Sequence, residues 1–279
     1  MSDRIHTLKV LDMVPYETET IKNRFYAMHL ESPGWTNWNP GQFAMLRPAA
    51  WGGEQTWSKP ISICSVNDER LVFFFQVSGH GTKRLAQVRP GDDMIVVGPL
   101  GTKFAVYPER PTLMLAGGMG LAPFVGYSEI HPNPGNLRLL FGHRLPLECY
   151  LYPSCTYKLG EQTCRHENMN NETAFMAVLE EQIAALAPVR GLALACGPGP
   201  FLRRVQEFSL KYGVDAQVSL ESRMACGIGA CLGCVVKPLL DEATGKNRSS
   251  KPQPKPMHQD MPAPVCACGP VFWVDSFKF

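Results

Sequence analysis

Residues Thr112–Ile130 read TLMLAGGMGLAPFVGYSEI, and the fold turns on this stretch. Its first half is an apolar run ending in glycines, the pattern of a parallel strand buried on both faces. From Leu121 onward the residues read as a helix. A strand, a glycine turn and a helix in succession open an α/β unit. Downstream the alternation continues. LRLLFGHR (137–144) is the next strand. ETAFMAVLEEQIAALA (172–187) places Phe175, Val178, Leu179, Ile183 and Leu186 on one helical face, with Asn171 as its cap. GLALACGPGP (191–200) is a strand ending in Gly and Pro, FLRRVQEFSLKYG (201–213) an amphipathic helix, and VDAQVSLE (214–221) a last strand. Ligands of such sheets bind beyond the carboxyl ends of the strands.

Upstream of Pro108 the pattern is different. IHTLKVLDMV, NRFYAMHLE, GQFAMLRP, PISICSV, RLVFFFQVSG and DDMIVVG are short, β-branched or aromatic runs separated by Gly, Pro, Asn or Asp. Six such runs without a long helix between them predict a closed antiparallel barrel. The residues after Leu220 carry few helix or strand signals, and 241–264 is polar and proline-rich, with the composition of a mobile surface loop. The expected organisation is therefore multidomain β plus α/β: a barrel over 1–107, a parallel α/β domain over 108–220, and a small C-terminal segment over 221–279.

Bulk properties narrow the function classes. The chain has 279 residues, 45% of them hydrophobic, and a formal net charge of +2, which gives no reason to expect a nucleic-acid partner. MSDRIHTLKV lacks the apolar core of a secretory signal, and no apolar run approaches a bilayer span, so the expected compartment is the cytoplasm, with no membrane. Ten cysteines in a reducing compartment point to ligands or buried thiols rather than disulfides.

The most informative cysteines lie in ESRMACGIGACLGCVVKP (221–238). Cys226, Cys231 and Cys234, followed after residues 235–265 by Cys266, fit the C-x4-C-x2-C…C spacing of a [2Fe-2S] centre. Gly227, Gly229 and Gly233 let the backbone wrap a cluster, and Ala225, Ala230 and Leu232 exclude water. A structural zinc site would more often use two C-x2-C knuckles, and only one is clear here. Cys266 and Cys268 both stand where a fourth ligand is needed.

Shorter strings suggest nucleotide sites. Lys59-Pro60-Ile61-Ser62 enters a strand, where the Ser62 hydroxyl can meet the polar edge of a flat ring. Gly79-His80-Gly81-Thr82 opens a short helix that can receive phosphate. In Ala116–Pro123 the glycines permit close approach of a pyrophosphate, although this is not the G-x-G-x-x-G fingerprint. Cys196-Gly197-Pro198 ends another strand at the same sheet edge.

Taken in order, KPISI, GHGT, GPLG, AGGMGLAP, ACGPGP, ACGIGACLGC and VCACGPVF resemble the ferredoxin-reductase superfamily over nearly the whole chain. Within it they look most like the electron-transfer subunits of class 1B dihydroorotate dehydrogenases. The resemblance implies a barrel holding FAD, an α/β domain binding NAD(H) as substrate, and a C-terminal [2Fe-2S] segment. It implies that Pro60, Ile61 and Ser62 line the flavin, with Lys59 beside them, and that Gly81 and Thr82 meet its pyrophosphate. Gly117, Gly118, Gly120 and Pro123 would shape the nicotinamide nucleotide site, with Cys196 and Gly197 near the nicotinamide. It makes Cys266 the fourth ligand. It also implies a partner, an FMN-containing catalytic subunit that oxidises dihydroorotate, in a heterotetramer. No catalytic side chain is expected, because cofactors carry the chemistry. With the cluster facing the partner, Ala225–Gly233 is expected at an interface.

The chain departs from the family in three places. Lys59 stands where Arg is usual, 148–171 does not match the usual strand and Asp-Gly-rich loop, and 241–264 is unusually rich in proline. Cys149, Cys155, Cys164 and His166 in the second of these raise a second metal site as an option. Two other readings fit the same residues. One is the related subunit of a ferredoxin:NADP oxidoreductase or a sulfide dehydrogenase. The other is a zinc-stabilised binding module without redox activity.

Overall fold

Six strands close into an antiparallel barrel: β1 (Ile5–Pro15), β2 (Phe25–Glu31), β3 (Phe43–Pro48), β4 (Lys59–Val66), β5 (Arg70–Gln76) and β6 (Asp93–Leu100), in the order β1-β2-β5-β4-β3-β6. They coincide with the six runs expected from sequence. This is a computed structural model, and it describes residues 4–53, 57–239, 249, 251 and 262–279. Most of the 241–264 stretch read as a mobile loop lies outside the described residues. The period-2 alternation is clean in β6, where Met94, Val96 and Leu100 are buried and Asp93 is exposed. Helix α1 (His80–Leu85) plugs one end of the barrel through Leu85.

Parity along β3 assigns two faces. Ala44 and Leu46 pack inward with Met28, Phe73 and Val96. Phe43 and Met45 pack outward, into a core shared with the second sheet and the C-terminal segment.

The second sheet has five parallel strands, β7 (Thr112–Gly117), β8 (Leu137–His143), β9 (Cys164–Asn168), β10 (Leu192–Cys196) and β11 (Asp215–Ser219). With β14 (Val271–Trp273) at one edge, their order is β14-β11-β10-β7-β8-β9. The helices are α2 (Ala122–Ile130), α3 (Tyr152–Leu159), α4 (Glu172–Ala184) and α5 (Gly199–Tyr212). Asn171 caps α4, its side chain accepting from Ala174 N at 3.2 Å. Phe175, Leu179, Ile183 and Leu186 are buried as the periodicity required, while Val178 is only half-buried. Gly213 ends α5 in the left-handed conformation. Helix α2 lies against the barrel, where a Cβ on Gly126 would fall 2.5 Å from both the Cys64 carbonyl and Trp38.

Two segments differ from the sequence reading. Strand β11 is not the last of its sheet. The C-terminal segment contributes β14, antiparallel to β11, and is sewn to the barrel by Thr102, whose Oγ1 donates to Val271 O at 2.9 Å. Three residues are too short to register as a strand from sequence. Residues 148–171, which do not match the family's usual strand and loop, are ordered as α3 and edge strand β9, because Cys149, Tyr150, Leu151, Cys155 and Leu159 are buried against α2 and β8. The remaining elements are β12 (Val235–Pro238), β13 (Ala263–Pro264), α6 (Val265–Cys268) and β15 (Phe277–Lys278). Among the described residues no helix is long and apolar enough to cross a membrane.

One polar node holds the edge opposite the ligand side of the sheet. Asp215 Oδ2 meets Arg110 Nη2 at 3.0 Å, Oδ1 meets Lys251, and Lys251 stands over Trp273. Burial works to raise the Asp215 pKa, but Lys251 and Arg110 outweigh it and hold the carboxyl below its usual value. A depressed carboxyl contributes stability above its unfolded pKa and loses it as pH falls through its folded pKa. Unfolding at pH 7 and through the acid range should therefore show a component that Asp215→Asn removes. That component is small, because the side chain is 37% exposed. An unchanged acid branch in the variant would reject the assignment.

Candidate cysteine centre and nucleotide cleft

The β12–β13 pairing, with Val235 opposite Pro264, returns the chain so that Cys234 and Cys266 adjoin; Val265 N donates to Cys234 O at 2.7 Å. Backbone N–H groups point at sulfur, as they would at thiolates: Gly229 N reaches Cys266 Sγ at 3.1 Å and Cys231 N reaches Cys226 Sγ at 3.4 Å. Each of these sulfurs has another beside it, Cys231 next to Cys226 and Cys234 next to Cys266, and Cys226 lies within electrostatic reach of Cys266 too. Among the described residues no three His, Cys, Asp or Glu side chains converge as ligands of a single ion would. Four cysteines with C-x4-C-x2-C…C spacing, gathered with backbone N–H groups on their sulfurs, fit a two-iron cluster. The same observation finds no second centre at Cys149, Cys155, Cys164 and His166.

The centre has a dry side and a wet side. Cys234 and Cys266 are buried, Cys226 is half-buried and Cys231 is exposed. Burial raises the Cys226 pKa, but the N–H groups of Ile228, Cys231 and Ala230 more than offset this and bring it down to about 7. Cys266 is pushed up to about 12 by burial and by the adjacent Cys234 thiol. Around the wet side stand three apolar side chains, Ile228, Leu232 and Val235, at 63%, 47% and 41% exposure. From below, the loop rests on the barrel: a Cβ on Gly227 would fall 2.7 Å from Met45 Cγ.

Strand β4 carries the residues expected at a flavin. Lys59, Pro60, Ile61 and Ser62 are all half-buried, while the β3 residues opposite them, Phe43–Leu46, are buried. The Ser62 hydroxyl and the Lys59 ammonium form no hydrogen bond or ion pair among the described residues. Lys59 lies across α1, where a Cβ on Gly81 would meet its Cε at 2.1 Å. Thr82 is already engaged: its Oγ1 accepts from Ser78 N and Gly79 N and donates to Gly79 O, so it shapes the turn. An uncovered strand with a spare hydroxyl and an uncompensated cation fits a flat ring with a phosphate tail.

The nucleotide elements meet at the carboxyl edge of the sheet. Gly117 and Gly118 line a cleft of about 830 Å³ between sheet and barrel. Gly118 has φ +53 and open space on its Cβ side, as a cradle for a ligand requires. Gly120 and Pro123 lie behind it in the packing. A Cβ on Gly120 would sit 1.9 Å from Cys196 O, so Gly120 lets the turn close onto the end of β10. Gly197 abuts Gly117 there. The Cys196 thiol is pushed up to about 12, by burial and then by the Glu221 carboxylate, which keeps it neutral and non-nucleophilic.

Sequence reasoning missed the other walls. The barrel supplies Arg24, Phe25 and Gln76, and the β8 end supplies His143 and Arg144. His143 Nδ1 sits 2.8 Å from Leu145 O and must donate to it, and His143 Nε2 shares a 3.1 Å hydrogen bond with His166 Nδ1. This ring pair fixes the turn that presents Arg144 to the cleft.

A flavin-type barrel, a nucleotide sheet and a four-cysteine centre define an electron-transferring reductase of the ferredoxin-reductase fold. The solved NADH-dependent reduced ferredoxin-NADP oxidoreductase superposes with a TM-score of 0.70 over 98% of this chain and 90% of that one, at 18% identity. The ferredoxin-NADP+ reductase of Plasmodium falciparum gives 0.60 over 74% and 89%, at 14% identity. Residues 221–248 match the iron-sulfur cluster binding domain of dihydroorotate dehydrogenase B. The dihydroorotate dehydrogenase B (NAD(+)) electron transfer subunit of Caldanaerobacter subterraneus subsp. tengcongensis is 33% identical over 93% of this chain and 94% of its own. That of Clostridium acetobutylicum is 30% identical over 86% and 92%. The chain belongs to the family of dihydroorotate dehydrogenase B electron transfer subunits.

Proposed function

We propose that this chain carries electrons from a dihydroorotate-oxidising partner to NAD+, in pyrimidine biosynthesis. The observation that carries the reading is the four-cysteine centre resting on the barrel strand next to β4, with nucleotide cleft and flavin strand on one molecule. A cluster exchanges single electrons, a nicotinamide takes two as hydride, and FAD between them does both. The chain's own residues hold and insulate these groups. Cys226, Cys231, Cys234 and Cys266 ligate the cluster, and Lys59–Ser62 with Gly81 and Thr82 seat FAD. Gly117, Gly118, Gly120, Pro123, Cys196 and Gly197 shape the NAD(H) site. The division into 1–107, 108–220 and 221–279 follows these three tasks, although β14 ties the last to the second. The partner is an FMN-containing dehydrogenase subunit in a heterotetramer, and the compartment is the cytoplasm.

The apolar rim supports docking at the cluster: three exposed aliphatic side chains around a redox centre suit a protein surface. The purified complex, given dihydroorotate and NAD+, should form orotate and NADH. Absence of NADH with FAD and iron present would reject the pyrimidine role and favour a ferredoxin- or sulfide-linked relative. Ile228→Asp with Leu232→Asp should keep flavin and iron but lose the partner on size exclusion, since burying an unpaired charge in an interface costs several kcal/mol. Full retention of the complex would place the interface elsewhere.

A further inference from the structure

Met45 stands between the two sites that the proposed function joins. On β3 it is the cross-strand partner of Pro60 on β4, and Phe43 is the partner of Ser62. Cross-strand partners point to the same side of a sheet, with Cβ atoms about 5 Å apart. Pro60 and Ser62 therefore project from the outer face of the barrel, beside Met45 and Phe43. Phe43 leans towards the barrel exit, where its Cε1 lies 3.0 Å from the place of a Cβ on Gly101. Met45 meets the cysteine loop instead. A Cβ on Gly227 would fall 2.7 Å from Met45 Cγ, 2.8 Å from Sδ and 3.4 Å from Cε, so the loop backbone rests along the thioether. Gly227 is the residue directly after Cys226, and its φ of +71 turns the chain there. Met45 is 3% exposed and belongs to the same core as Cys234 and Cys266. Its side chain thus fills the ground between the flavin strand and the cysteine loop.

We propose that Met45 is a positioning residue that sets the gap between the four-cysteine centre and the flavin, and with it the rate of single-electron exchange between them. This rests on the reading of β4 as the flavin strand and of the cysteines as an iron–sulfur centre. In each exchange one group loses an electron and the other gains it, while Met45 is neither oxidised nor reduced. Electrons cross such a gap by tunnelling, which decays less steeply through packed atoms than through empty space. An unbranched thioether adapts to an irregular gap and closes it to the density of the interior. It also props the Gly227 backbone at a fixed height above β3.

The test uses the full-length chain, purified anaerobically with flavin and iron bound. A flash-generated deazaflavin radical supplies single electrons, and the relaxation of flavin and cluster absorbance gives the exchange rate. Met45→Ala should slow it by about an order of magnitude, because the void left behind has no atoms to carry the coupling. Met45→Leu, of similar volume, should stay within about twofold of wild type. Flavin reduction by NADH should be unchanged in both, since Met45 does not line the nucleotide cleft. Iron content and the cluster's reduction potential, followed by EPR-monitored titration, should match wild type, because the four cysteines and their N–H donors are retained. A potential shift large enough to account for the slower exchange would overturn the proposal, since driving force rather than the gap would then be responsible. Equal rates in all three proteins would overturn it, as would equal slowing by Met45→Leu. If Met45→Ala loses iron, Met45→Val should keep it and show a smaller slowing; an unslowed Met45→Val, or loss of iron from both, would overturn the proposal, because Met45 would then only hold the loop. Wild type that binds no flavin would overturn the flavin reading together with the proposal. Wild type with both groups bound, exchanging at a rate indifferent to residue 45, would overturn the proposal alone.

Discussion

Cys266→Ser should strip the chain of iron and acid-labile sulfide while FAD stays bound, and Cys268→Ser should leave the cluster in place. The two thiols are two residues apart on α6, roughly 200° around a helix, so only one can face the loop. The one that does is Cys266, whose sulfur accepts from Gly229 N and adjoins Cys234. Cys268 is buried at 5% exposure, in the core shared with Phe272 and Phe277. Loss of a direct ligand should exceed the roughly 10–100-fold loss of metal affinity typical of groups one shell out. Flavin should persist because the barrel core around β4 contains none of the cluster cysteines. Iron per chain, sulfide and visible absorbance after anaerobic purification are the measurements. Iron retained by Cys266→Ser and lost from Cys268→Ser would exchange the two assignments.

Gly120→Ala should abolish flavin reduction by NADH by displacing the turn, whereas Gly118→Ala should act on NADH affinity, because its methyl enters the space the nucleotide takes. The added methyl at 120 meets backbone: Cys196 O at 1.9 Å, Cys196 C at 2.3 Å and Gly197 N at 2.7 Å. None of these is a flexible side-chain end, so the turn or the end of β10 must move. Overpacking of this kind typically costs about 1–3 kcal/mol. A shift of about 1 Å in the surface that positions the nucleotide can cost on the order of a hundredfold in rate. At Gly118 the methyl enters the cleft itself, where it crowds the bound nucleotide, and the backbone penalty is that of a left-handed residue, about 1–2 kcal/mol. Stopped-flow reduction of the flavin by NADH, with a melting curve for each variant, separates the two effects. Normal reduction by Gly120→Ala would show that β10 and the turn are not held together as described.

Much of the architecture could be read from the chain because its signals are local. Alternation in DDMIVVG and the apolar run TLMLAG distinguish a half-exposed barrel strand from a doubly buried one over a few residues. The ligand spacing from Cys226 to Cys234 lies within nine residues, where backbone reach alone limits the geometry. The segment 148–171 was illegible for the opposite reason. Its order comes from burial of Tyr150 between Phe25 of the barrel and Phe141 of β8, contacts that no local pattern records.

The barrel, the parallel sheet, the three-cysteine loop and the glycines at the strand ends are all local features, since each depends on periodicity, spacing or the lack of a side chain. The choice between Cys266 and Cys268 as the proposed fourth ligand is a tertiary matter, because it depends on which face of α6 meets the loop after β12 pairs with β13. The tertiary structure also decided that Met45 supports Gly227, that β14 completes the second sheet, and that Arg24, Phe25 and Gln76 wall the cleft. Each joins residues far apart in sequence, and such contacts are selected by shape and burial across the whole molecule rather than by any run of neighbours.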